Sequence, residues 1–133
     1  MPFDRYSTPV RTETELTLAI VQVGKLAEKV GFKNGAKSMI MTAASELGRN
    51  ILKYAGSGNI HVAPLVKDHK KGIELIAMDH GPGIENVDLA MQDAFSSGGT
   101  LGLGLPGVKR MMDEFTLDTT PKRGTTVTIR KWV

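Results

Sequence analysis

A chain of 133 residues should expose about 6,800 Å² when folded against about 21,000 Å² unfolded, which suits one compact domain over residues 1–133 and leaves no room for a second. Its 41% hydrophobic and 23% charged content is that of a globular protein, not of a collagen-like, disordered or coiled-coil chain, and the absence of cysteine removes disulfides, thiolate metal sites and a cysteine nucleophile. The net charge of +3 forms no stripe, since Lys67, Lys70 and Lys71 are interleaved with Asp68 and His69, and the seven aromatics (one Trp, two Tyr, four Phe) build no stacking platform, so nucleic-acid binding is not expected.

The N-terminus, Met1 to Arg5, lacks the apolar core of a signal peptide, and no apolar stretch approaches the ~18 residues that cross a bilayer. No membrane association is expected, and a cytoplasmic location is. Tyr6 to Arg11 can form a short strand. Thr12-Glu13-Thr14-Glu15 then has the spacing of a capping box, with Thr12 as N-cap and Glu15 reaching back. The helix that follows carries Leu16, Ile20, Val23, Ala27 and Val30 at helical spacing and should end at Gly31. A second helix begins near Asn34 as N-cap and carries Ile40, Ala43, Ala44, Leu47, Ile51 and Tyr54 on one face before Gly56-Ser57-Gly58.

Asn59 to Val66 and Gly72 to Asp79 read as a hairpin joined by the polar stretch Lys67 to Lys71. From His80 to Gly104 the chain is glycine-rich, with one short helical possibility around Val87 to Asp93. So long a connection in a small domain is usually functional. A helix from about Leu103 to Asp113 tolerates Pro106 only in its first turn. Phe115 to Thr120 and Thr125 to Trp132 form a second hairpin across Pro121-Lys122-Arg123-Gly124. The expected fold is a two-layer α/β sandwich, a mixed but mostly antiparallel sheet with helices on one face.

Three clusters offer chemistry. Glu46 and Asn50, one turn apart on the flank of the second helix, can face one cleft: a carboxylate to take a proton, and an amide oxygen to bind a divalent metal. By themselves they are equally a polar shoulder beside a core face. Asp79 ends a strand, where its carboxylate can anchor a donor-bearing ring, and Gly81 and Gly83 let the backbone approach a ligand; alone, the motif is also an ordinary turn. Ser96 to Leu105 runs into a helix N-terminus and suits polyphosphate oxygens. Gly102, Gly104 and Gly107 match a dinucleotide fingerprint, but no strand precedes them. His61, His69 and His80 have no metal spacing. Arg49 and Lys53 are expected in surface ion pairs, Phe115 and Trp132 in sheet packing.

In this order and spacing, Glu-x3-Asn on a helix, Asp-x-Gly-x-Gly after a strand and Gly-x-Gly before a helix resemble the GHKL, or Bergerat-type, ATPase and kinase family. The stretches Ala44 to Ile51, Asp79 to Ile84 and Gly102 to Phe115 are similar to its stressosome-type serine/threonine kinases and anti-sigma-factor kinases. The resemblance implies that Asn50 holds a Mg²⁺ bridging the phosphates of ATP and that Asp79 meets the adenine amino group. It further implies that Gly81 and Gly83 shape the adenine pocket and that Gly102, Leu103, Gly104 and Leu105 offer backbone amides to phosphate. Ser96 to Leu101 would be the ATP lid, Thr125 would help hold adenine, and Glu46 would be the base for an incoming hydroxyl or a group that orients it. The implied activity is transfer of the γ-phosphoryl group to serine or threonine of STAS-domain partners in a partner-switching stress response, followed by engagement of a downstream signalling enzyme. Two other readings stay open: a regulatory binding module whose nucleotide sets conformation, and an ATPase in which water replaces the hydroxyl.

Overall fold

The computed structural model describes residues 5–84, 91 and 104–133. Tyr6–Val10 forms β1, Glu13–Val30 α1, Asn34–Asn50 α2, Gly58–Lys67 β2, Lys70–Asp79 β3, Gly104–Met111 α3, Glu114–Thr120 β4 and Gly124–Trp132 β5. The strands make one sheet in the order β1-β2-β3-β5-β4, and every neighbouring pair is antiparallel. The mixed sheet that was expected is therefore wholly antiparallel among the described residues. The short helical possibility at 87–93 and the lid at 96–101 lie outside the described residues, apart from Met91, which packs on the core.

The strands alternate as a half-buried sheet requires. Ile60 and Val62 of β2, Ile73, Leu75 and Ala77 of β3, and Val127 and Ile129 of β5 point to the helices and are buried. Leu16, Val23, Leu26, Ile40 and Leu47 meet them from α1 and α2. Each such aliphatic side chain contributes about 1.5–3 kcal/mol by leaving water. On the other face, Arg130 pairs with Glu74 and Glu114, and the Trp132 indole donates to Glu114 at 2.9 Å while its ring covers Gly72. Phe115 is half-buried against the core, so both aromatics serve packing. No helix among the described residues is long and apolar enough to cross a membrane.

Local signals account for most element ends. Thr12 caps α1 by accepting the Glu15 N–H at 3.1 Å, and Gly31, at φ 118°, ends it in the left-handed region. Glu15 reaches one residue further back than a capping box requires, to the Arg11 N–H at 2.8 Å and the Arg11 guanidinium. That hydrogen bonding holds the Glu15 carboxyl below its usual range, so the contact is complete above the ordinary carboxyl range and is lost as pH falls through the lowered value. The second helix starts one residue earlier than expected: Lys33 occupies the N-cap and Asn34 is already helical, with no side-chain cap. The β2–β3 connection tightens to a two-residue turn, Asp68 and His69, both at positive φ as a type I′ hairpin demands.

The largest departure lies at the end of α2. After Asn50 the chain continues as a π-helical turn over Ile51–Ala55, closed by the Gly56 N–H donating to the Ile51 carbonyl at 2.9 Å. A wider turn rotates each later side chain less far than an α-helix would. Tyr54, expected beside Ile51 on the apolar face, is instead 48% exposed, with the Lys53 ammonium over its ring. Arg49 donates to Ser45 Oγ at 3.2 Å, and among the described residues it forms no ion pair.

Replacing Thr12 with Ala removes the side-chain cap of α1 and should cost about 1 kcal/mol. In urea titrations the midpoint should fall with no change in slope.

Candidate functional site

Asp79 is the last residue of the central strand, paired on one side with Gly58 and on the other with Thr125. The register puts its side chain on the helix-covered face, half-buried. Oδ1 accepts the Gly81 N–H at 2.9 Å and the Thr125 N–H at 3.3 Å. The first is the two-residue closure typical of an Asp turn; the second ties it to β5. Oδ2 takes no hydrogen bond among the described residues. One oxygen is thus fixed by two backbone donors while the other remains an acceptor for a ligand.

The loop that follows is docked onto the β4–β5 hairpin. Lys122 N–H donates to the Pro82 carbonyl at 2.6 Å, and Ile84 N–H donates to Thr119 Oγ1 at 2.9 Å. Gly83, at φ 75°, lies so close to Thr120 that a Cβ would sit 2.4 Å from its carbonyl oxygen. Gly124 begins β5 at φ 134°, where a Cβ would meet the Asp79 carbonyl oxygen at 2.1 Å. The close approach that Gly81 and Gly83 permit is therefore to protein: a Cβ on Gly81 would fall 2.5 Å from that of Ala55. They bring the loop's backbone against Ala55 on one side and the β4–β5 hairpin on the other.

The π turn is what places Ala55 there. It carries the chain from Asn50 past Ile51, whose methyl group lies against Gly58, to Ala55 against the Asp79 loop. One and two turns earlier on the same element stand Asn50 and Glu46, both half-buried. Glu46 Oε2 accepts the Gly104 N–H at 3.3 Å, at the N-terminus of α3. A carboxylate there meets unpaired backbone donors and the positive end of the helix dipole. The other end of α3 receives a cation: Lys131 Nζ donates to the Met111 carbonyl at 2.9 Å. Pro106 is the third residue of α3 and buried, within the tolerant first turn.

Helix α2 and its π turn thus carry one of the three clusters and touch the other two: Glu46 contacts the start of α3, and Ala55 contacts the Asp79 loop. Gly104 and Leu105 open α3, with the Gly104 N–H on Glu46 and Leu105 buried, whereas Gly102 and Leu103 lie outside the described residues. Asn50 makes no side-chain hydrogen bond among the described residues, and among them no group of three or more His, Asp and Glu could hold a metal. Among the described residues there is thus no protein cage for a cation. A cation that takes a single amide oxygen from Asn50 and the rest of its shell from phosphate and water does fit, which is the habit of Mg²⁺. A cleft of about 230 Å³ beside the loop, lined by Arg11, Ala55, Asn59 and His80 among others, contains none of Glu46, Asn50 or Asp79.

Two residues of this region carry no motif. Ala55 is placed by the π turn, which has no pattern in the residues that form it. Thr119 could have been found from the hairpin: a three-residue loop at 121–123 pairs Thr120 with Gly124 and so Thr119 with Thr125.

Residues 9–131 match the histidine kinase-like ATPase domain family. The chain is 43% identical to the serine/threonine-protein kinase RsbT of Bacillus subtilis over 98% of each chain. It is 35% identical to the anti-sigma F factor of Caldanaerobacter subterraneus subsp. tengcongensis, over 71% of this chain and 68% of that one. Among solved structures, the mycobacterial sensor histidine kinase MprB superposes with a TM-score of 0.57 at 19% identity, over 98% of this chain and 97% of that one. A chain of the SiaB–SiaC complex of Pseudomonas aeruginosa also superposes with a TM-score of 0.57, at 12% identity, over 98% and 89%. These last two share the fold. With a family match along nearly its whole length and a relative at 43% identity, the chain belongs to the histidine kinase-like ATPase family, the GHKL family to which its three motifs point.

Proposed function

We propose that this protein is an ATP-dependent serine/threonine kinase, a single nucleotide-binding domain that phosphorylates STAS-domain partners in a cytoplasmic partner-switching stress response and then engages a downstream signalling enzyme. The observation that carries the reading is the span of α2 and its π turn from Glu46, at the start of α3, to Ala55, against the Asp79 loop. A ligand with a purine at one end and a polyphosphate at the other matches that span.

Phosphoryl transfer depends mainly on positioning and charge neutralisation, and the residues divide that work. Asp79 Oδ2 accepts from the adenine amino group, with Thr125 beside it. Gly81 and Gly83 shape the pocket by holding its walls at backbone distance. Backbone amides of Gly102, Leu103 and Leu105 meet the phosphates, the Gly104 N–H being engaged by Glu46. Asn50 holds Mg²⁺, which neutralises phosphate charge when bound. Glu46 has one oxygen on the Gly104 N–H and turns the other toward the acceptor hydroxyl, orienting it or taking its proton as the new O–P bond forms and ADP departs.

The similarity to an anti-sigma F factor favours a second reading, a regulatory module that binds its partner under nucleotide control. Incubation with labelled Mg-ATP and candidate STAS proteins separates the two. Label on a serine or threonine of the partner is expected. Tight association without transfer would replace the kinase with the module, and phosphate release with no partner present would replace it with an ATPase.

Asp79→Asn keeps size but puts an NH₂ where an acceptor is needed, so affinity for an ATP analogue should fall about 10- to 100-fold by calorimetry. Unchanged affinity would remove Asp79 from the adenine site. Asn50→Ala should lower Mg²⁺-dependent transfer by more than about tenfold while the fold is kept, as judged by an unaltered thermal midpoint. Full activity would remove the metal assignment.

A further inference from the structure

Thr119 has no part in the roles assigned above, yet its hydroxyl joins three pieces of the candidate site. Oγ1 lies 2.9 Å from the Ile84 nitrogen, 3.0 Å from Thr125 Oγ1 and 3.3 Å from the Gly124 carbonyl oxygen. A hydroxyl has one proton to give and two lone pairs to offer. The Ile84 N–H can only donate and the Gly124 carbonyl can only accept, which leaves two arrangements. In the first, Thr119 accepts from Ile84 and from the Thr125 hydroxyl and gives its proton to Gly124, so all three contacts are hydrogen bonds. In the second, Thr119 gives its proton to Thr125, and the Gly124 contact becomes two acceptors facing each other. The first makes one bond more and avoids that repulsion.

The consequence falls on Thr125. With its hydroxyl proton committed to Thr119 and its N–H committed to Asp79 Oδ1, Thr125 has only lone pairs left for a ligand. Asp79 Oδ2, across the register from it, is also an acceptor. The edge of the pocket formed by β3 and β5 is then built of acceptors alone. Where that edge faces the C6 substituent of a purine, it suits an amino group and opposes a carbonyl.

We propose that Thr119 is a positioning residue that fixes the hydroxyl polarity of Thr125 and thereby strengthens selection of 6-amino over 6-oxo purine nucleotides. This rests on the reading of the site as an adenine-nucleotide pocket. Thr119 touches no nucleotide in this account; it acts through Thr125. Valine at 119 keeps the shape of the side chain and removes the hydroxyl, which releases the Thr125 proton to serve a carbonyl. Serine keeps the hydroxyl.

The experiment is calorimetric titration of the full chain, with Mg²⁺, against the β,γ-imido analogues of ATP and ITP. The wild type should prefer the ATP analogue, Thr119→Val should reduce the preference at least about fivefold, and Thr119→Ser should restore it. If Thr119→Val does not fold, Thr119→Ala is read in the same way. A role confined to holding the loop would weaken both analogues equally, so an unchanged ratio in the variant overturns the proposal and leaves the nucleotide site standing. Wild-type protein that binds neither analogue overturns the nucleotide site and this proposal with it.

Discussion

The central strand ends at Asp79, and the two strands beside it meet that point with a glycine. Gly58 begins β2 directly opposite Asp79, and Gly124 begins β5 against the Asp79 carbonyl. A side chain at 124 has no space, and one at 58 would press on the Met78 carbonyl oxygen, 2.4 Å away. Because these neighbours have no bulk, the strand end can be crowded by backbone on both sides, and backbone donors reach the carboxylate. The registers of β2 and β5, the docking of the 81–84 loop and the position of Thr125 all follow from that packing. The site begins where the sheet's most enclosed strand runs out.

A second constraint is electrostatic and belongs to α3. A helix of eight residues is too short to hold itself in water, and this one is held at both ends by complementary groups, a carboxylate from α2 at its N-terminus and an ammonium from β5 at its C-terminus. Its apolar residues Leu105 and Val108 add burial on the core side. The element expected to present amides to phosphate is thus kept in place by the same α2 that carries Asn50. Glu46, for which a role in phosphoryl transfer is proposed, thus also has an architectural reason to be a carboxylate at that point of the helix.

Features written in short, local patterns were legible before any coordinates. Thr12 and Gly31 bound α1 through hydrogen bonds within a few residues of themselves, and the alternation of Ile60, Val62, Leu75, Ala77, Val127 and Ile129 marks the buried face of the sheet. The three motifs were legible as types and spacings. What was not legible depends on contacts between distant segments. Thr119 matters only because a loop of three residues sets it opposite Thr125. The Glu46 contact requires α3 to lie across α2. The π turn is the plainest case: Ile51 to Ala55 reads as ordinary helix, and the wider turn is set by where Ala55 and Gly58 must arrive rather than by any propensity of those five residues. Asn34 failed as a cap because the chain had already turned helical at Lys33's carbonyl, a one-residue error typical of helix ends.

The π turn also restricts how this chain can change length in descent. Between Asn50 and Gly58 it takes up one surplus residue inside a hydrogen-bonded helix, and the strand that follows is locked in register from its first position. A gain or loss of one codon there has no slack to absorb it and would slide a whole strand to its wrong face. The two-residue tip at Asp68 and His69, at the far end of the same strand, projects into solvent and can lengthen with little penalty. Insertions and deletions accumulated over evolutionary time should therefore collect at one end of this hairpin and be purged at the other.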